Sequence, residues 1–370
     1  MAQSAKYLLV GSIEADSGKS TTILGIIHKL IEQGIATAYA KPLGTSEDDG
    51  LIKATEQNLS FLANDLQLSP QQLYSPLLRL NTETIVKRLT EEDTQNYSQL
   101  MRDYVARIDA SFAAEDGERV SLIEGPNNIW EGGLFELSIG EMSTIIDAPI
   151  LLVTRYSSLS FLANLLIVKK SLGDRLLGVV INDIPETELA QVETQIKPYL
   201  EKRQIPVLGM IPQDRLLNSV SVRELANRLK AQVLCCQNRL DLMVEGLTIG
   251  AMNVNSALEY FRQKKNMVVI TGGDRTDLQM AALETATNCL ILTGHVPPKP
   301  LILSRAEDLE IPILAVDSDT LTTVEVVDAA FSRVPISEPI KVRRVIQLME
   351  QHFDFARLID SLGLEAALTV

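Results

Sequence analysis

The sequence predicts an α/β protein: a doubly wound, mostly parallel sheet, then a smaller α/β unit, then a C-terminal helix. Three observations carry this. Short, almost wholly apolar runs alternate with helix-period stretches through the first two hundred residues. The first such run leads directly into a glycine–lysine turn and a helix, "YLLVGSIEADSGKSTTILGII". A second series of alternating runs begins after "IPQDRLLNSV", residues 211–220. At 370 residues the chain exceeds one ordinary domain. The expected division is residues 1–214, 215–334 and a helical tail, 335–370.

The predicted strands of the first part are "YLLV" (7–10), "ATAYA" (36–40), "VSLI" (120–123), "ILLVT" (150–154), "LLGVVI" (176–181) and "IPVLGM" (205–210). Their continuous apolar character suits parallel strands covered on both faces. Ile23, Ile26, Ile27, Leu30 and Ile31 recur at helical spacing, and Gly34 supplies the stop. Leu100, Tyr104, Ile108 and Phe112 make a second stripe. In the later part, Ser221 with Glu224 and Thr322 with Glu325 stand at capping-box spacing, and Asn253 is a plausible cap. The strands there are "AQVLC", "EGLTIGAM", "MVVIT", "CLILT" and "IPILAV". The tail, Lys341 to Leu362, reads as one amphipathic helix with Val342, Val345, Met349, Phe353 and Ala356 on one face.

Composition narrows the function. Hydrophobic residues at 46% and charged residues at 22% describe a globular chain. A net charge of −14 with no local basic patch argues against nucleic acid and anionic membrane as partners. Cys235, Cys236 and Cys289 have neither zinc nor disulfide spacing, and His28, His295 and His352 are scattered. They read as buried thiols in a reducing compartment. No apolar run reaches membrane-span length, so the expected location is the cytoplasm.

"GSIEADSGKS", residues 11–20, is a variant phosphate-binding loop. The usual spacing is G-x-x-x-x-G-K-[ST]. Gly18, Lys19 and Ser20 fit it, followed by Thr21, but Ile13 takes the first glycine position. Loop amides and a helix N-terminus point at an anion, a lysine reaches outer phosphates, and a hydroxyl serves Mg2+. Three strands lead into polar clusters at their carboxyl ends, where such folds bind ligands: Lys41-Pro42-Leu43-Gly44, Glu124-Gly125-Pro126-Asn127 and Asn182-Asp183. A carboxylate there, Glu124, is a natural Mg2+ ligand; an exposed turn acid is the alternative. Glu14 and Asp16 make the loop acidic, which disfavours a bare triphosphate.

Taken in order, "GSIEADSGKS", "KPLG", "LIEGPNN", "GVVIND" and "GMIPQD" resemble dethiobiotin synthetase and its relatives, among them the cobyrinate diamide synthases. The resemblance implies that Lys19 and Ser20 hold ATP phosphates and Mg2+, that Glu124 is a metal ligand, that Lys41 stands near the transferred group with a catalytic role, and that Asn182 lies near the adenine. The family writes a glycine-rich "EGAGG" where this chain has "EGPNN", which puts ligase chemistry in doubt. Partition ATPases share the fold but carry a signature lysine where this chain has Glu14.

"ITGGDRTDLQMAALETATNCLILTG", with "GAMNVNSALEYF" before it and "PLILSRAEDLEIPILAVDSDTLTTVE" after it, resembles the DRTGG domain over roughly residues 215 to 330. Gly272-Gly273-Asp274-Arg275 lies between a strand and a helix: the glycines permit close backbone approach, Arg275 could clamp a carboxylate or phosphate, and Asp274 could cap the helix. An internal ion pair between Arg275 and Asp274 or Asp277 is the competing reading. The whole arrangement resembles the N-terminal and central parts of long bacterial phosphate acetyltransferases, without their catalytic domain. The resemblance therefore implies an ATP- and Mg2+-binding regulatory or sensing protein, a homo-oligomer with a small anionic or nucleotide ligand at the DRTGG unit. It implies at most weak ATPase activity and no acetyl transfer. A ligase of the dethiobiotin type and a scaffold with a vestigial nucleotide site are the alternatives.

Overall fold

A computed structural model of the chain describes residues 6–45, 73–111, 117–157, 160–263, 265–285, 287–294, 296–332 and 338–364. Phe112 and His295 lie outside the described residues. The chain divides into two compact units, residues 1–213 with 335–370 and residues 214–334. The second unit is thus an insertion within the first. Among the described residues no helix is long and apolar enough to cross a membrane.

The first unit is built on a seven-stranded parallel sheet in the order β4-β2-β6-β1-β7-β8-β9. Its strands are β1 (Lys6–Ser12), β2 (Ala36–Ala40), β4 (Leu73–Tyr74), β6 (Arg119–Glu124), β7 (Ile150–Arg155), β8 (Leu176–Ile184) and β9 (Val207–Pro212); β3 (Leu43–Thr45) and β5 (Leu78–Leu80) pair separately. All six predicted runs fall on these strands. The last starts two residues late, because Pro206 has no N–H to give the ladder. Helix α1 (Lys19–Glu32) follows β1 and buries Ile23, Ile26, Ile27 and Leu30 as the periodicity requires. Helices α2 (Thr82–Leu89), α3 (Tyr97–Ser111), α4 (Ile139–Ile146) and α5 (Ser160–Leu172) follow, the last three burying Met101, Ile108, Met142, Phe161 and Leu165 in a common core, to which the helical segment 189–201 adds Val192, Ile196 and Leu200.

The strand order locates the site. From β1 the chain passes over β6 to reach β2; from β6 it passes over β1 to reach β7. The loops after β1 and β6 therefore diverge. The crevice between their carboxyl ends is the topological switch point at which open α/β sheets bind ligands.

The second unit has a five-stranded sheet in the order β11-β16-β15-β14-β13. Its members are β11 (Gln232–Cys235), β13 (Gly246–Gly250), β14 (Met267–Gly272), β15 (Thr287–Thr293) and β16 (Ile313–Val316). β13 to β16 are parallel and β11 is antiparallel at the edge. Two short strands, β10 (Val220–Ser221) and β12 (Met243–Val244), pair outside it. Helices α7 (Val254–Gln263), α8 (Thr276–Leu283) and α9 (Pro300–Asp308) share one core with the sheet; α6 (Val222–Leu229) and α10 (Thr320–Ser332) share another. Because β13 to β16 run in sequential order, this sheet has no switch point among its parallel strands.

Cys235 and Cys289 are buried, Cys236 is half-buried, and all three are free thiols. Asn253 caps α7 through Ser256 N at 3.0 Å, and Ser221 caps α6 through Glu224 N at 3.3 Å. The expected box at Thr322 is corrected: α10 begins three residues earlier than that cap requires, and Asp319 is the cap, accepting from Thr322 N at 3.0 Å. A carboxylate beside the first turn displaces the threonine from that role.

The tail is also corrected. It forms two helices, α11 (Pro339–His352) and α12 (Phe355–Ser361), not one. The break falls where Phe353 bridges Gly209 of β9 and Asp354 N donates to Leu208 O at 2.7 Å. Asp354 then caps α12 through Arg357 N. Strand-like pairing at Phe353 diverts the backbone that a continuous helix would need. The tail is not a separate body, because α11 packs on α1 and α12 on β9.

Candidate functional site

The loop from Ile13 to Gly18 is shaped by contacts to neighbouring strands. Ile13 is half-buried and packs against the main core. Glu14 turns onto β7, its Oε1 accepting from Arg155 N at 2.6 Å and Thr154 Oγ1 at 3.2 Å. Arg155 returns a hydrogen bond to Asp16 O at 2.9 Å and an ion pair to Asp183 at 3.3 Å. One of the two loop acids that disfavoured a phosphate is thus engaged: the Glu14 carboxylate is spent on β7, while Asp16 is held through its backbone carbonyl and its side chain is exposed. Gly18 has φ +97°, and a Cβ there would lie 2.3 Å from Asn182 Nδ2. Only glycine fits a turn so close to another side chain. Asn182, which the resemblance puts near adenine, donates to Ser17 O at 2.9 Å and so supports the loop.

Behind the turn, Lys19 is only 6% exposed and its Nζ donates to Ser12 Oγ at 2.8 Å. Ser12 Oγ donates onward to Asn127 O at 2.9 Å. Burial lowers the Lys19 pKa, against the opposing pull of Glu124. Thr21 is half-buried in the first turn of α1. Ser20 Oγ lies 3.3 Å from each carboxylate oxygen of Glu124. Glu124 is buried at the end of β6, with Lys41 Nζ 3.5 Å from Oε1 and the Tyr39 hydroxyl donating to Oε2 at 2.7 Å. Burial alone would raise the Glu124 pKa; Lys41, Lys19 and the Tyr39 hydrogen bond more than offset it, and the carboxyl stays below its ordinary range.

Lys19, Ser20, Lys41 and Glu124 therefore meet at the switch point. Two cations flank one carboxylate, so the cluster is charged but compensated. Sequence reasoning missed Ser12, Tyr39, Arg155 and Glu131. Tyr39 had a faint signal: it stands two residues before Lys41 on an alternating strand, hence on the same side. The others depend on long-range contact. The "PNN" segment is tied by local hydrogen bonds: Asn128 Oδ1 accepts from Trp130 N and Glu131 N, and Glu131 accepts from Asn127 N at 2.5 Å.

In the second unit, Gly272 ends β14 and Gly273 N donates to Thr293 O at 2.9 Å. A Cβ on Gly273 would lie 2.0 Å from Val296 O. Gln279, fully buried on α8 and not singled out by sequence, donates from Nε2 to both Gly272 O and Gly273 O at 3.0 Å. Asp274 is not the helix cap: α8 starts at Thr276 and the cap position falls on Arg275. Arg275 pairs with Asp277 at 3.2 Å and donates to Met252 O at 3.1 Å, the internal ion pair that competed with the anion clamp. Both groups are well exposed, so the pair adds little stability. Gly273→Ala is expected to cost about 3 kcal/mol through overpacking against backbone that cannot yield, measured as a lower urea midpoint for the full chain.

Two family models match the chain. A family model described as an AAA domain matches residues 6–221, and one described as a DRTGG domain matches residues 224–330. Among curated proteins, a phosphate acetyltransferase of Synechocystis is 26% identical over 375 residues, covering 96% of this chain and 51% of that protein. A phosphate acetyltransferase of Nitratidesulfovibrio vulgaris is 22% identical, covering 95% and 51%. The chain spans about half the length of the curated relatives it matches. Solved structures with similarity include MinD of Aquifex aeolicus (TM-score 0.37, 15% identity, 57% of this chain and 84% of that one). Cobyrinic acid a,c-diamide synthase of Mycobacterium smegmatis, with ADP and magnesium, has a TM-score of 0.35 at 16% identity and covers 57% and 88%. With a P-loop sheet in its first unit and the family model spanning more than half of its length, the chain belongs to the AAA domain family and carries a DRTGG domain after it.

Proposed function

We propose that the first unit binds ATP with Mg2+ and that the chain is a regulatory module, pairing this site with a small-ligand site in its DRTGG unit. The observation that carries the reading is the cluster at the switch point of buried Lys19 and Glu124 with half-buried Lys41 and exposed Ser20. The donor set fits the groups: a hydroxyl and a carboxylate are hard oxygen ligands for Mg2+, and a lysine over loop amides suits phosphates. Lys19 and Gly18 hold the phosphates, Ser20 and Glu124 the metal, and Thr21 and Asn182 support the nucleotide. Bound Mg2+ would neutralise phosphate charge. The acetyl transfer of the full-length relatives is not assigned to these residues. Isothermal titration with ATP and MgCl2 tests the proposal; heat of binding is expected, and its absence rejects it.

The DRTGG ligand is a small anion or nucleotide at Gly272, Gly273, Asp274 and Arg275, with Arg275 exchanging Asp277 for the ligand. Melting the full chain bearing Lys19→Ala against nucleotides and anionic metabolites isolates this second site. Stabilisation by one of them is the expected result. A ligase reading is favoured only by Lys41, which stands beside Glu124 where a transferred group would lie; it requires ADP formation dependent on an added carboxylate or amine.

A further inference from the structure

Helix α2 buries none of its eight residues. A helix so short does not persist on propensity alone, and in proteins a packed apolar face normally holds it. Here polar groups fasten it instead. Asn81 and Thr84 form a capping box, and Arg88, over the Tyr97 and Phe135 rings, donates to Leu134 O at 3.3 Å and Asp93 O at 3.1 Å. The apolar side chains Ile85, Val86 and Leu89 are left exposed, Leu89 at 66%. The adjoining turn, Gly133–Phe135, whose Gly133 N donates to Trp130 O, adds exposed Leu134 and Trp130, the latter at 65%. Covering these five side chains would remove on the order of 500 Å2 of apolar surface, at the upper end of the largest patch usual on a monomer.

We propose that this face is an interface with a second copy of the chain, in which two α2 helices pack antiparallel about a twofold axis. A twofold contact requires a surface that complements itself. Helical spacing puts Ile85, Val86 and Leu89 on one stripe, with Glu83 and Lys87 along its border. Those two charges are exposed and pair with each other at 2.5 Å. Reversing the second helix lays the acid of each copy against the lysine of the other, with the apolar stripes between them. An unrelated protein or an apolar ligand would need no such alternation of sign. With its polar rim the face approaches the ~800 Å2 per partner of a standard interface. Its centre must be apolar, because two chains of net charge −14 repel at longer range.

The test is sedimentation of the full, nucleotide-free chain across a range of concentrations, with the fluorescence of Trp130, its single tryptophan. Wild type is expected to reach twice the chain mass, and dilution to the monomer to shift Trp130 emission to longer wavelength. Leu89→Glu would bury a carboxylate on each side of the axis and is expected to weaken the dimer at least about 100-fold. Trp130→Glu repeats the mass measurement from the neighbouring turn. Both positions are exposed within one chain, so melting of each variant should match the wild-type monomer; should one misfold, the other decides. A wild type still monomeric at about 100 μM, far above the dissociation constants usual for such an area, overturns the proposal. So does a dimer that keeps its affinity in a folded variant, or one whose dissociation leaves Trp130 emission unchanged.

Discussion

A chain ending at Val334 is expected to lose the cooperative fold of its first unit. The tail contributes Val342, Val345, Leu348, Met349, Phe353, Leu358, Ile359, Leu362 and Leu364 to the buried set. At about 1.5–3 kcal/mol for each fully buried apolar side chain, the gross loss is well above 10 kcal/mol, comparable to the whole stability of a domain. The contacts are specific. Met349 Cγ would lie 2.4 Å from a Cβ at Gly25, so α11 sits directly on the helix that carries Lys19 and Ser20. Arg357 grips Glu201 through two hydrogen bonds of 2.6 and 2.9 Å, and Lys6 Nζ donates to Gly363 O. Limited proteolysis with circular dichroism checks this: the 1–334 chain should be degraded rapidly through the first unit. A resistant first unit with a sharp melt would show that the tail is dispensable.

Lys19→Ala is expected to remove nearly all nucleotide-dependent stabilisation. The lysine is the buried cation nearest the loop amides, and a charge-assisted contact to phosphate is among the stronger polar interactions. A loss of about 100-fold in affinity is expected from deleting it. At a ligand concentration about 100 times the wild-type Kd, wild type gains about 2.7 kcal/mol and the variant only about 0.4 kcal/mol. Lys41 and Tyr39 still flank Glu124 in the variant, so the nucleotide-free fold should persist. Differential scanning fluorimetry with ATP and MgCl2 reads both quantities. A variant stabilised as strongly as wild type would remove Lys19 from the site.

Much of this was legible in one dimension. Continuous apolar runs marked the parallel strands because both faces of such strands are covered. The α1 stripe and the Gly18-Lys19-Ser20 turn followed from local spacing. Other features were misread because local signals compete. Thr322 had the spacing of a cap, but Asp319 takes the role. Asp274 had a cap's chemistry, but the helix starts one position too late for it. The tail kept helical periodicity through Phe353, yet pairing with Gly209 breaks it there.

The sequence by itself determined the α/β class, the six main strands of the first sheet in chain order, and the lysine turn at the head of α1. These depend on residue type, on continuous apolar runs and on the helical period of 3.6, which neighbours along the chain already express. Only the tertiary structure decided that Tyr39, Lys41, Ser20 and Glu124 share one carboxylate, that Glu14 turns away onto β7, and that the tail closes over α1. Those facts follow from the crossing of β1 and β6 connections and from contacts spanning tens to hundreds of residues, which no local pattern encodes.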